Sequence, residues 1–292
     1  MNSGGSGQAS VSWSSSDASQ LLNGDSVDDD GEDISPKGST TLTTTIRPSN
    51  AAPTTLTNKS VQIYDTNSYN SQPSVNARAA LVMDATTGEV LYSKNTNTSM
   101  PIASITKLMT AVITADARLN MSEEITLQQI DFAGAGGKNS SSTLKVGDSM
   151  NRAEMLLVAL MKSENPAAAA LARTYPGGRQ AFIAAMNAKA RQLGMTSTRY
   201  VESTGLDPHN VSSARDLGIL SNNTNALVRN GGWNINISKT GYINEAGRCV
   251  VMHTTVNSRP AVVVLLGASS SQARTNDATN LLNWVSNLPK RI

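Results

Sequence analysis

The chain has 292 residues, 24 Lys and Arg against 22 Asp and Glu, 39% apolar side chains, one cysteine and two histidines. A single cysteine excludes an internal disulfide and any multi-cysteine metal site, and His209 and His253 stand in no metal-binding spacing, so neither a metal nor another cofactor is expected. No run of 18 apolar residues is present, so no membrane span is expected.

Residues 1–75 are dominated by Ser, Thr, Asn, Gly and Asp, with an acidic run from Asp28 to Asp33, and carry a net charge of −5. Such a segment buries too little apolar surface to offset its ordering entropy, so it is expected to be a disordered polar and acidic leader. Met1 to Gly5 lack the basic start and apolar core of a secretory signal, so export requires a signal already removed. Residues 76–292 carry the compensating +7, which suits a polyanionic partner. Scattered Lys and Arg with only 4% aromatics argue against nucleic acid and leave an anionic cell-wall polymer.

Ala79–Asp84 reads as a strand, 85–88 as a turn and Glu89–Tyr92 as the returning strand. Ile105, Leu108, Met109, Val112 and Ile113 then recur at helical spacing, predicting a helix from Ser104 to about Arg118. Ser104 and Lys107, at i and i+3, share one face about 5 to 6 Å apart at Cβ, which puts a hydroxyl beside an amine. The glycine run Gly134–Lys138 lacks Walker spacing and reads as a surface loop.

A helix is expected over 150–162 with Asn151 as its cap, and a second from Pro166. Ser163, Glu164 and Asn165 are wedged between the two. Residues 179–193 form a further amphipathic helix, with Phe182, Ile183 and Met186 inside and Gly194 as its stop. Tyr200–Asn210 is turn-rich, and Ser212–Leu217 opens a capped helix in which Arg215 and Asp216 make a cap and a buried ion pair. Strands are expected at Trp233–Ser238, Arg248–Thr255 and Ala261–Gly267, the last two joined at Asn257-Ser258, and a closing helix over about Thr275–Val285. Cys249 lies in an apolar run and reads as a buried small residue. The fold class is α+β, with an antiparallel sheet assembled from both chain ends (about 76–103 and 230–292) flanked by helices, and a helical part over about 104–229.

Three short patterns stand in order: Ser104-Ile105-Thr106-Lys107, Ser163-Glu164-Asn165 and Lys239-Thr240-Gly241. Taken singly, each has an ordinary reading as a helix cap, a solvated turn or a strand end. Taken together, at a helix start, an interhelical loop and a strand, they resemble the penicillin-recognising serine enzymes, which comprise penicillin-binding proteins and serine β-lactamases. The fuller phrases Pro101–Thr110, Asn210–Asp216 and Ser238–Tyr242 look specifically like the low-molecular-mass D-alanyl-D-alanine peptidases. Among these, the likeness is to periplasmic D,D-endopeptidases of the penicillin-binding protein 7 type, over about residues 76 to 288.

The resemblance implies a serine D,D-peptidase that acts on peptidoglycan stem peptides through an acyl-enzyme, cleaves D-alanyl cross-links, and is also acylated by β-lactam antibiotics. Ser104 would be the nucleophile and Lys107 its base, which requires the amine to be neutral far below its usual range. Ser163 would relay the proton to the departing amine, and Asn165 would donate to the substrate amide. Lys239 and Thr240 would hold the substrate carboxylate, Gly241 would leave room for substrate at the strand edge, and the N–H groups of Ser104 and Tyr242 would meet the oxyanion.

The alternatives are a D,D-carboxypeptidase, a β-lactamase with Glu202 as the water-activating base, and a non-catalytic peptidoglycan-binding module. Glu202 sits in Glu202-Ser203-Thr204-Gly205-Leu206, a peptidase phrase. Retention of Ser104, Lys107, Ser163, Asn165 and Lys239 argues against the pure binder, which needs no nucleophile. After Leu220 the chain runs almost directly toward Lys239, where the resembled enzymes carry a longer stretch. It also ends soon after the closing helix, which suggests a soluble periplasmic enzyme rather than a tethered one.

Overall fold

The computed structural model of the protein describes residues 71–133, 142–230 and 238–289, with the backbone alone for 225–230. The expected leader, up to residue 70, and the glycine run at 134–138 lie outside the described residues.

Aliphatic runs from both ends of the chain meet in one sheet. Ala79–Asp84 (β1) is buried over its first five residues, and Val90–Lys94 (β2) returns beside it. The turn between them is closed by Asp84 Oδ1, which accepts from the N–H groups of Thr86 (2.8 Å) and Thr87 (3.0 Å). Met100–Pro101 (β3) pairs with Val211–Ser212 (β6), and Glu124–Thr126 (β4) with Ser149–Asn151 (β5), two small ladders too short to leave a period in the sequence.

Lys239–Ile243 (β7), Gly247–Val256 (β8) and Arg259–Ala268 (β9) complete a five-stranded antiparallel sheet of order β2-β1-β9-β8-β7. Asn257 (φ 50°) and Ser258 (φ 64°) make the two-residue turn between β8 and β9, with both positive angles that a type I′ hairpin requires. Of the strand expected at Trp233–Ser238, residues 233–237 lie outside the described residues, and Ser238 precedes the first residue of β7.

Six helices are described: Thr106–Asp116 (α1), Arg152–Met161 (α2), Asn165–Arg173 (α3), Gly178–Gln192 (α4), Ala214–Asn230 (α5) and Ser271–Ser286 (α6). Asn151 caps α2 by accepting from Glu154 N–H, and Gly194 at φ 77° ends the turn after α4. Ile183 is only half-buried, whereas Phe182 and Met186 are fully inside. The closing helix begins a turn earlier than expected because Ser270, one of three consecutive serines, accepts from Ala273 N–H at 3.0 Å and caps it.

Period-two alternation splits the sheet's side chains between two cores. Ala80, Val82, Val250, Met252, Val263 and Leu265 pack with Leu281, Leu282 and Val285 of α6. Leu81, Cys249, Val251, Val262, Val264 and Leu266 face the other way, into the larger core shared with α1 and α5. An added Cβ at Gly218 of α5 would lie 2.6 Å from Leu81 Cδ2, so this glycine lets α5 press onto β1.

The segment before β1 is tied to this frame by side chains rather than by a ladder. Asp277 of α6 accepts from Asn76 N–H (2.8 Å) and Ala77 N–H (2.7 Å), and Lys94 Nζ donates to the carbonyls of Val75 (2.9 Å) and Ala77 (2.7 Å). The Tyr92 hydroxyl donates to Pro73 O at 3.0 Å, and burial, with Asp277 nearby, raises its phenolic pKa. Asp277→Ala strands two backbone donors and is expected to cost about 3 kcal/mol. Urea unfolding of the variant measures this, and a midpoint equal to wild type would show the clamp to be idle.

Candidate active site

Ser104 is not on the α-helix itself. Ala103–Ile105 is a 3-10 turn that runs into α1, and no side chain caps its start. Ala103 has φ 50°, an uncommon angle for a residue with a Cβ, and this bend sets the serine at the sheet side of α1. Ser104 is 1% exposed and Lys107 1% exposed, so the hydroxyl and the amine face each other with little water between.

Lys107 Nζ lies 2.8 Å from Ser104 Oγ, 3.2 Å from Ser163 Oγ, 2.6 Å from Asn165 Oδ1 and 2.8 Å from the Thr204 carbonyl. Amide and peptide oxygens can only accept, so two N–H groups of the lysine belong to Asn165 and Thr204. What remains of the nitrogen faces the two hydroxyls. In a neutral amine that remainder is the lone pair, aimed where a serine proton must go. Burial works in the same direction by withdrawing water from the ammonium form.

Ser163 also has a positive φ, 54°, at the break between α2 and α3. Asn165 opens α3 with Pro166 behind it, and its Oδ1 is turned to Lys107, which points its NH2 group away from the lysine. Glu164, between them, is turned elsewhere. Its carboxylate accepts from Ser142 Oγ (2.5 Å) and Thr143 Oγ1 (2.8 Å).

β7 is an edge strand and packs against the Ala103–Ile105 turn. A Cβ on Gly241 would come within 2.7 Å of Ser104 N and 3.1 Å of Ile105 N. Beside the expected room for substrate, the glycine is thus required by the protein's own backbone at the Ala103–Ile105 turn. Lys239 (2% exposed) and Thr240 (4% exposed) are buried just before it, and Lys239 Nζ donates to Thr240 O at 2.7 Å. The Tyr242 ring carries the Arg248 guanidinium 3.6 Å above its centroid.

The loop 202–210 also borders the site, through Thr204 O and Gly205. Glu202, 3% exposed, accepts through Oε1 from Gly205 N–H (2.6 Å) and Asn210 Nδ2 (2.6 Å), and through Oε2 from Thr204 N–H (2.6 Å) and Thr204 Oγ1 (2.5 Å). A carboxylate so enclosed holds the loop and has little left with which to activate water. Gly205, at φ 95°, lies so close to the nucleophile turn that a Cβ would overlap Ala103 O. Thr110 Oγ1 donates to Ser203 O and Ser203 Oγ to Ala168 O, tying this loop to α1 and α3.

Asp216 works as an anchor. Its Oδ2 accepts from Ser197 N–H (2.8 Å) and Thr198 Oγ1 (2.7 Å). Arg215 approaches only to 3.5 Å and its side chain is 51% exposed, so the expected buried ion pair is corrected to a long one in which only Asp216 is buried.

A serine hydroxyl set 2.8 Å from a buried lysine amine, beside a glycine-bearing sheet edge, is an arrangement that suits acyl transfer with lysine in place of histidine. The family of D-alanyl-D-alanine carboxypeptidases matches residues 66–223 and 221–270, two stretches that meet where the connection after Leu220 is short. The chain belongs to that family.

A D-alanyl-D-alanine endopeptidase of Pseudomonas aeruginosa is 45% identical over 71% of this chain and 76% of its own length. One of Escherichia coli is 41% identical over 74% of this chain and 79% of its own. Among solved structures, the Streptomyces K15 DD-transpeptidase is similar with a TM-score of 0.65 and 26% identity, covering 73% of this chain and 98% of that one. Penicillin-binding protein D2 of Listeria monocytogenes, in its cefotaxime-bound form, gives a TM-score of 0.64 at 25% identity over 74% of this chain and 99% of that one. The expected α+β architecture, with a sheet drawn from both chain ends, is the fold these proteins share.

Proposed function

We propose that the protein is a serine D-alanyl-D-alanine peptidase of peptidoglycan, working in the periplasm and cleaving cross-links as an endopeptidase through an acyl-enzyme on Ser104. The observation that carries this reading is the Lys107 amine, held by two acceptors with its remaining side 2.8 Å from Ser104 Oγ. The two relatives named as endopeptidases, alike over most of the chain, favour cross-link cleavage over removal of a terminal D-alanine. No helix among the described residues is long and apolar enough to cross a membrane, which is compatible with action in the periplasm.

In this reading Lys107 takes the Ser104 proton as Oγ attacks the D-alanyl carbonyl. The tetrahedral oxyanion is met by the N–H groups of Ser104 and Tyr242, on either side of the close approach at Gly241. Collapse expels the amine of the neighbouring stem peptide, and Ser163 passes it the proton held by Lys107. Asn165 donates to the substrate amide, and Lys239 with Thr240 holds the carboxylate. Water then releases the acyl group. β-Lactam antibiotics enter by the same attack and leave slowly, because Glu202 is enclosed by its own loop.

Digestion of purified cross-linked muropeptides with the full chain, read by product mass, tests the reading. Conversion of dimers to monomers is expected. Loss of terminal D-alanine alone, with dimers intact, would replace it with a carboxypeptidase.

A further inference from the structure

The Gly205 N–H that donates to Glu202 and the Thr204 carbonyl that accepts from Lys107 are the two ends of one peptide unit. We propose that Glu202 is a positioning residue that acts on Lys107 through the Thr204–Gly205 peptide, an inference that rests on Lys107 being the base for Ser104. A peptide whose N–H is bound to a carboxylate is polarised, so its oxygen becomes a stronger acceptor. Here the carboxylate contact is 2.6 Å on one side and the lysine contact 2.8 Å on the other.

Thr204 O is also the better fixed of the two acceptors that orient the amine. Asn165 can turn about its side-chain bonds, whereas Thr204 is part of a loop closed on itself by Glu202 and Asn210. Asn210 Oδ1 accepts from Val201 N–H at 2.9 Å while its Nδ2 donates to Glu202 at 2.6 Å. The loop's outer side is held to α1 by Thr110 and to α3 by Ser203. Gly205, at φ 95°, then seats the same peptide against Ala103. One carboxylate thus sets both the direction of the Lys107 nitrogen and the charge that it senses.

Among the described side chains, the other charged groups on the elements packed about α1 are engaged elsewhere, and on the Glu202 loop Asp207 faces His209. Arg152 faces Glu123, Arg173 faces Asp131, Lys189 faces Asp116, and Asp216 holds residues 197 and 198. Glu164 faces Ser142 and Thr143, and Glu154, Lys162, Arg179, Arg191 and Arg215 are exposed. Lys239 on β7, next to the Ala103–Ile105 turn, and Glu202 are both buried charges. They act in opposite senses: Lys239 favours the neutral amine, and Glu202 favours the ammonium while aiming it.

The sign of the pH effect follows. Acylation needs the neutral amine, so its rate falls on the acid side as Lys107 takes up a proton. Removing the Glu202 charge eases deprotonation and moves that acid limb to lower pH.

The test is the pH profile of acylation of the full chain by a fluorescent penicillin. In Glu202→Gln the acid limb is expected to move down by about one pH unit, with the plateau about tenfold lower. Asn210→Ala loosens the same loop but keeps the charge, and is expected to lower the plateau with the limb in place. A Glu202→Gln protein with a native melt and an unmoved limb would overturn the inference while leaving the reading of Ser104 and Lys107 intact.

Absence of any adduct on wild type would instead remove that reading. Wild type labelled with 15N-glycine gives a second measurement, needed if Glu202→Gln does not fold. The Gly205 amide resonance is expected far downfield, moving with the same midpoint as the acid limb, and a resonance unchanged across the limb would overturn the inference.

Discussion

Ser104→Ala is expected to take up no penicillin and cleave no cross-link, with the melting temperature close to wild type. Wild type should gain one drug-sized mass increment, and the variant none. The effect is large because covalent catalysis has no substitute when the nucleophile is gone; losses of about 10⁴ or more are usual for such deletions. The fold should survive because Lys107 keeps Asn165 and Thr204 as acceptors and Ser163 beside it. Removing one hydroxyl from such a cluster costs about 1 kcal/mol. The same mass increment on Ser104→Ala would mean that another group is the nucleophile.

Gly205→Ala should damage both stability and acylation. The added methyl meets backbone in two places, within van der Waals overlap of Ala103 O and 2.9 Å from Ser104 N, and the residue sits at φ 95°, where an alanine is strained. Strain and overlap together are expected to cost about 3 to 5 kcal/mol, or a fall of about 10 °C in melting temperature. Relief requires the loop to retreat from Ala103, which carries Thr204 O away from Lys107. A displacement of about 1 Å at such a site lowers the acylation rate by about 10²-fold. A Gly205→Ala protein that melts within about 2 °C of wild type and acylates normally would show that the loop is not seated as described.

The strands and the catalytic patterns were legible for different reasons. β1, β8 and β9 are long apolar runs, and Asn257-Ser258 marks a two-residue turn, so their register follows from composition and spacing. Ser104, Lys107, Ser163 and Lys239 were visible because the resemblance rests on specific residue types in a specific order. What escaped depends on contacts between distant segments. β3 with β6, and β4 with β5, are two- and three-residue ladders whose partners lie about a hundred and about twenty-five positions apart. The start of α6 depended on which of three serines turned its hydroxyl to Ala273.

Glu202 is the clearest case. Its distance beyond Asn165 offered it as a base for water while its phrase spoke for a peptidase, and only the closure of the loop onto Asn210 reveals donors on both oxygens. Gly241 likewise had a plausible reason in substrate binding, but the atom that its Cβ would strike belongs to Ser104. No local pattern announces a contact between residues so far apart in the chain.

The seating of Gly241 on the Ser104 backbone makes the five-stranded sheet a ruler for the active site. Among the described residues β7 has a ladder on one side only, yet its position relative to Ser104 is limited by the close backbone approach at Gly241. In the proposed mechanism, fraying of that edge would separate the N–H groups of Ser104 and Tyr242 while both hydrophobic cores stay closed. Hydrogen exchange at Thr240–Ile243 would then track catalytic competence, and the enzyme would lose activity on warming before it loses its fold.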